Sequence, residues 1–220
     1  MALPAWPSGT RSRKQRDLSS RTESASRKPL AVAVTGGIGA GKTEALAAFA
    51  RHGAATISSD EVVHELYDED QVRSALRERF GDSVFAADGS VDRAAVGELV
   101  FGSPDELLWL EGLLHPLVMA RTEAWREELS RRPEPPVLAV NEVPLLYETG
   151  SENRFDAVVA ITAPRGLRAE RAGERLDERE ERLIPDEEKL LRADFAYVNE
   201  GSLEELDDFV AQVVRALSAR

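Results

Sequence analysis

The chain has 220 residues, enough for one domain of ordinary size or one domain with an insertion. It carries 42% hydrophobic and 31% charged residues, no cysteine, three scattered histidines (His52, His64, His115) and a net charge of −12. That composition excludes a disulfide framework, a thiol nucleophile and a Cys-ligated metal centre, and it makes the chain a poor general binder of nucleic-acid backbone, although a local site can still bind phosphate against the global charge. No apolar run approaches the roughly 18 to 20 residues of a spanning helix, so neither nucleic acid nor membrane is an expected partner.

Residues 1–28 hold seven basic residues and two acids, a charge of +5 that leaves −17 on the remainder. This tail is Ser-rich and without apolar periodicity, which predicts disorder. Its Arg- and Ser-rich, acid-poor composition also loosely fits an organelle transit peptide. A true start nearer Leu30 and a nucleic-acid-binding arm are the other readings, and mass spectrometry of the native N-terminus separates them. Residues 29–220 then read as one domain. Leu30 to Val34 is a continuous apolar run, the pattern of a strand buried on both faces. Similar short runs follow at Ala54–Ile57, Val137–Val140, Ala157–Ile161 and Phe195–Val198. Helices are predicted over Thr43–Arg51, over Glu106–Leu114 up to His115-Pro116, and over Leu117–Arg132, stopped by Pro133, Pro135 and Pro136. The last helix opens with a capping box, Ser202 and Glu205. One apolar face follows at Leu203, Leu206, Phe209, Val210, Val213, Val214 and Leu217. Strands alternating with helices predict an α/β fold with a parallel sheet. About 80 residues separate the second and third strands and read mostly helical, an insertion at one end of the sheet.

Gly36-Gly-Ile-Gly-Ala-Gly-Lys-Thr43 fits G-x-x-x-x-G-K-[ST] between a buried strand and a helix, the setting the motif requires. Gly37, Gly39, Ala40 and Gly41 would turn backbone N–H groups onto a phosphate, and the helix dipole would add positive potential. Lys42 would reach the β- and γ-phosphates of ATP, and the Thr43 hydroxyl would ligate Mg²⁺. The acid such a site needs is expected at the end of a neighbouring strand, where Glu142 follows Asn141.

Several blocks, in order from Leu30 to Val214, resemble the dephospho-CoA kinase family. They are Thr35-Gly-Gly-Ile-Gly-Ala-Gly-Lys-Thr43; Ile57-Ser-Ser-Asp-Glu-Val-Val-His64; Val91-Asp-Arg93 through Leu110-Glu-Gly-Leu-Leu-His-Pro-Leu-Val118; Glu142-Val-Pro-Leu-Leu-Tyr-Glu148; Arg171 and Arg175; and Ala193-Asp194 with Asn199-Glu-Gly201. The resemblance implies a P-loop NTPase-type three-layer α/β fold, a helical substrate-binding insertion at about 61–132 and a lid at about 168–192. It implies transfer of the ATP γ-phosphoryl group to the ribose 3′-hydroxyl of dephospho-CoA. The lack of cysteine fits a cytoplasmic enzyme, and a monomer or weak homo-oligomer is expected.

Under that resemblance Asp60 is the base or orienting acceptor at the 3′-hydroxyl; by local pattern it also reads as a helix N-cap ahead of Val62-Val63. Arg171 and Arg175, four apart on one helix face, would embrace the transferring phosphoryl group; without the resemblance they read as part of a solvated charged helix with Glu170 and Glu174. Arg93 and His115 would meet the acceptor, His115 otherwise reading as a core histidine. Glu142 would serve the metal and the substrate, and Asn199 would shape the adenine-side loop. Arg168 stands where relatives often carry Gln and is left without a role. The chain departs from the family with Ser58 for the first acid of an Asp-x-Asp pair, Glu142 for Asp, Leu183 for Gln, and a short lid dense in charge that includes Arg179 and Arg182. The rival readings are a P-loop kinase for a nucleotide or sugar acid, and a guanine-nucleotide switch, for which no Asn-Lys-x-Asp motif is present.

Overall fold

The computed structural model describes residues 28–172 and 183–219. They form two compact units: one runs up to Thr56 and resumes at Glu128, and the other is Ile57–Glu127. The strands are β1 (Leu30–Thr35), β2 (Ala55–Ser58), β3 (Leu138–Glu142), β4 (Ala157–Thr162) and β5 (Phe195–Val198). The helices are α1 (Lys42–Arg51), α2 (Ser59–Leu66), α3 (Asp70–Phe80), α4 (Arg93–Phe101), α5 (Pro104–Ser130), α6 (Arg165–Ala172), α7 (Asp186–Arg192) and α8 (Leu203–Ser218). The five-stranded sheet has the order β2-β3-β1-β4-β5, with β1 parallel to both β3 and β4, and β4 parallel to β5. The expected α/β fold with a parallel sheet is therefore what the chain forms.

The sheet explains the unalternating apolar runs. Successive side chains point to opposite faces, so a strand covered on both faces must be apolar at every position. Val32, Val34, Val159 and Ile161 pack with Phe49 of α1 and Phe209 and Val213 of α8. Ala31, Ala33 and Ala160 face the other way, toward Leu146, Tyr147 and Phe155. Each large apolar side chain removed from water here contributes about 1.5–3 kcal/mol. Tyr197 stacks on Phe209 at 4.8 Å. The N-cap of α8 is Ser202, whose hydroxyl accepts from Glu205 N at 3.2 Å.

The unit 57–127 is helical, with Val62 and Leu66 of α2, Leu76 of α3, Val96 and Val100 of α4 and Leu110 and Leu114 of α5 forming its core. Phe80 and Trp109 meet edge to face at 5.3 Å. Asp92 caps α4 by accepting from Ala94 N at 3.0 Å and Ala95 N at 3.1 Å.

Two expectations are corrected. The predicted break at His115-Pro116 does not occur: α5 runs through Pro116 for 27 residues. The carbonyl that Pro116 cannot engage belongs to Gly112, which has open space around its Cα where the backbone can tilt, and the buried Leu110 and Leu114 hold the helix on both sides of the missing bond. Leu203, read as part of the apolar face of α8, is 63% exposed in the first turn of that helix. Among the described residues no helix is long and apolar enough to cross a membrane.

Candidate active site

The loop that joins β1 to α1 is shaped by its glycines. Gly36 has φ +149°, and a Cβ there would lie 1.8 Å from the Ile161 carbonyl oxygen, a contact no side chain tolerates. Gly41, in the left-handed region at φ 97° and ψ 24°, is the N-cap of α1, so the N–H groups of the first turn open toward the loop. Lys42 Nζ donates to the Gly37 carbonyl at 3.0 Å, folding the ammonium back over the loop.

Two other elements fasten to the same loop. Asn199, just past β5 and 3% exposed, donates from Nδ2 to the Ala40 carbonyl at 2.9 Å. It is held in turn by its own N–H on the Thr162 carbonyl at 2.7 Å and by Gly201 N donating to its Oδ1 at 3.1 Å. Arg171 of α6 donates from Nη1 to the Gly39 carbonyl at 3.1 Å. Gly39, Gly41, Lys42, Thr43, Arg171 and Asn199 line one cavity of about 310 Å³, with the carboxylate-bearing Glu44 also on its wall. Two cations and a helix N-terminus facing a hollow of this size form an anion-binding site on chemical grounds.

Glu142 ends β3, in register with Val34 beside the start of the loop, and is 5% exposed. Its carboxylate and the exposed Thr43 hydroxyl are hard oxygen donors of the kind Mg²⁺ takes. Among the described residues no three acidic or histidine side chains cluster as a metal cage.

The remaining candidates lie in the unit 57–127. Asp60, expected at a strand end or as an N-cap, is exposed in the first turn of α2, and Ser58 is the N-cap; β2 continues to Ser58 and the helix starts without a loop. A carboxylate there also favours the helix dipole. Arg93 is exposed at the start of α4, and its positive charge acts on Tyr67, whose hydroxyl burial pushes above its ordinary value. His115 is half-buried within α5, beside the buried Leu114. Arg175, Arg179 and Arg182 lie outside the described residues; of the expected lid, the end of α6 and residues 183–192 are described.

The structure also brings to the loop residues the sequence did not single out. Arg168, passed over because relatives often differ there, is 8% exposed against the loop, with Asp186 of α7 beside it. Leu203, read with the apolar face of α8, lines the cavity. On α7, which packs on β4 and β5, Lys189 is fully buried with Nζ 2.9 Å from Glu148 Oε1, off the hydrogen-bonding direction. Glu148 Oε1 also accepts from Ile184 N at 3.0 Å. Only the charge and spacing of α7 hinted at these partners.

The dephospho-CoA kinase family model matches residues 30–205. The chain is 34% identical to the dephospho-CoA kinase of Brucella melitensis over 198 residues, 87% of this chain and 96% of that protein. It is 35% identical to that of Streptomyces avermitilis over 196 residues, 84% of this chain and 92% of the relative. A crystal structure from Thermus thermophilus is similar with a TM-score of 0.69 and 33% identity, over 86% of this chain and 98% of the other. The fold is also that of a dephospho-CoA kinase from Campylobacter jejuni, with a TM-score of 0.63 and 24% identity over 86% and 97% of the two chains. The phosphate loop and the elements that close around it thus sit within an alignment spanning nearly all the described residues, and the chain belongs to the dephospho-CoA kinase family.

Proposed function

We propose that the chain transfers the γ-phosphoryl group of ATP to the ribose 3′-hydroxyl of dephospho-CoA, giving coenzyme A and ADP. The observation that carries this is the cavity in which Lys42, Arg171 and Asn199 converge on the glycine loop. The loop N–H groups receive the β-phosphate, and Lys42 leaves the Gly37 carbonyl to span the β- and γ-phosphates. Asn199 fixes the loop toward the adenine side. Arg171, anchored on the Gly39 carbonyl in the same cavity, engages the nucleotide, and Arg175 four residues on serves the transferring phosphoryl group. Mg²⁺, with the Thr43 hydroxyl as ligand and Glu142 orienting its shell, would neutralise phosphate charge when bound.

The unit 57–127 carries the acceptor. Arg93 suits its phosphates as a planar fork, and His115 supplies a polar contact. Asp60 holds the acceptor hydroxyl and accepts its proton as the new O–P bond forms and the bond from the γ-phosphorus to the bridging oxygen breaks, with ADP as leaving group. The enzyme acts as a monomer or weak homo-oligomer in the cytoplasm, where both substrates meet.

The test is ADP release by purified protein with ATP and Mg²⁺, with and without dephospho-CoA, the product checked by mass spectrometry. Acceptor-dependent release with a coenzyme A product supports the reading. ATP binding with no acceptor-dependent turnover overturns the acceptor assignment and directs the search to nucleosides and sugar acids.

A further inference from the structure

We infer that the ion pair Arg168–Asp186 sets the anion affinity of the phosphate loop: Arg168 neutralises a carboxylate that stands against Gly37 of that loop. Arg168 Nε donates to the Ala163 carbonyl at 3.0 Å, and Nη2 lies 3.4 Å from Asp186 Oδ2. The pair touches the loop backbone. A Cβ built on Gly37 would lie 2.8 Å from Arg168 Nη1, 3.1 Å from Asp186 Oδ1 and 3.4 Å from Asp186 Oδ2. Gly37 is also the residue whose carbonyl receives Lys42 Nζ at 3.0 Å. On the far side of the turn, a Cβ built on Gly39 would lie 2.9 Å from the Arg168 carbonyl oxygen and 3.2 Å from its Cα. Arg168 thus flanks both glycines, one with its guanidinium and the other with its backbone.

The charge logic follows from the placement. An acidic side chain within contact of an anion-binding loop repels the ligand at short range, where solvent screens incompletely. A guanidinium forked between a carbonyl and that carboxylate cancels the repulsion and fixes where the carboxylate points, which a single-point lysine or a neutral amide cannot reproduce. Arg168 is in this sense a positioning residue acting through Asp186.

This inference rests on the loop's binding nucleotide phosphate, and its test is ADP binding to the full chain by titration calorimetry. Asp186→Asn, which removes the acid and leaves the cation, is expected to tighten ADP binding about 3-fold or more. Arg168→Gln is expected to weaken it about 10-fold, and Asp186→Asn added to Arg168→Gln to restore it to within about 3-fold of wild type. The gain from Asp186→Asn shrinks at high salt, a response that mere loosening of the fold would not give. Asp186→Asn binding ADP no tighter than wild type, or a double variant as weak as Arg168→Gln, overturns this inference alone. Wild-type protein that fails to bind ADP overturns the nucleotide reading and this inference with it.

Discussion

The two units use charge differently. In the sheet-bearing unit several ionic groups are packed into the fold, although Arg51 and Asp207 pair at its surface at 2.6 Å. Lys189 is fully buried against Glu148, Arg168 is packed beside Asp186, and Arg192 lies 4.1 Å over the Tyr147 ring while bonding Glu152 at 2.6 Å. In the unit 57–127 the pairs stand at the surface: Arg77 with Asp82 at 2.9 Å, Arg79 with Glu106 at 2.8 Å, and Arg121 with Glu69. There the hydrogen bonds from Arg79 hold the Glu106 carboxyl below its ordinary value, and Gln71 followed by Arg121 does the same for Glu69. A buried pair that loses one member leaves an uncompensated charge out of water, whereas an exposed pair is already solvated. The buried pairs of the sheet unit are therefore fixtures of its architecture, whereas the exposed pairs of the helical unit contribute little to holding it together.

The contrast can be tested from the largest effect downward. Lys42→Ala should lower turnover by ~1000-fold in the ADP-release assay, because a charge aimed at the transferred phosphate is lost. Lys189→Ala should cost about 3 kcal/mol in urea unfolding, since Glu148 is left buried without its cation. Asp60→Asn sharpens the comparison from the other side: an exposed carboxylate should leave the urea midpoint almost unchanged and yet lower kcat by at least ~100-fold. A near wild-type kcat would remove Asp60 from the base role.

Burial pushes the Tyr147 hydroxyl up to about 12, against the lowering effect of Arg192. The unfolded chain releases that proton near pH 10 while the folded chain keeps it. Stability is thus fully present below pH 10 and falls as pH rises toward 12, by on the order of 2 kcal/mol. Tyr147→Phe should lose less over that window at little cost below it, because the hydroxyl has no hydrogen-bond partner among the described residues. Arg77→Ala should be the mildest change, under ~1 kcal/mol, most of it from uncovering Phe85, over whose ring the guanidinium sits at 4.1 Å.

Periodicity and punctuation made most of the fold legible. β5 lies where its apolar run lies, and β3 runs past its apolar run through the buried Asn141 to end at Glu142, the strand end at which that acid is expected. Pro116 misled because a proline's effect depends on whether flanking turns are packed, which a local pattern does not contain. The loop was legible because its geometry is written in consecutive residues. Arg168 was not: its meaning lies in Asp186, 18 positions on, and in two glycines more than 120 positions earlier. Arg171 and Asn199 were named from family resemblance, and only the folded chain supplies their partners, the carbonyls of Gly39 and Ala40.

The strand β1 has a consequence for how the molecule breathes. It is hydrogen-bonded to a neighbour on each side, and Val32, Ala33 and Val34 have no exposure at all. Its amides can exchange with solvent only when the sheet itself opens, so they belong to the slowest-exchanging class. The Gly36 backbone, pressed on the Ile161 carbonyl, continues that strand into the loop. The nucleotide cradle thus begins at the most persistent segment of the protein, and its floor keeps its shape through the local openings that admit and release ligand.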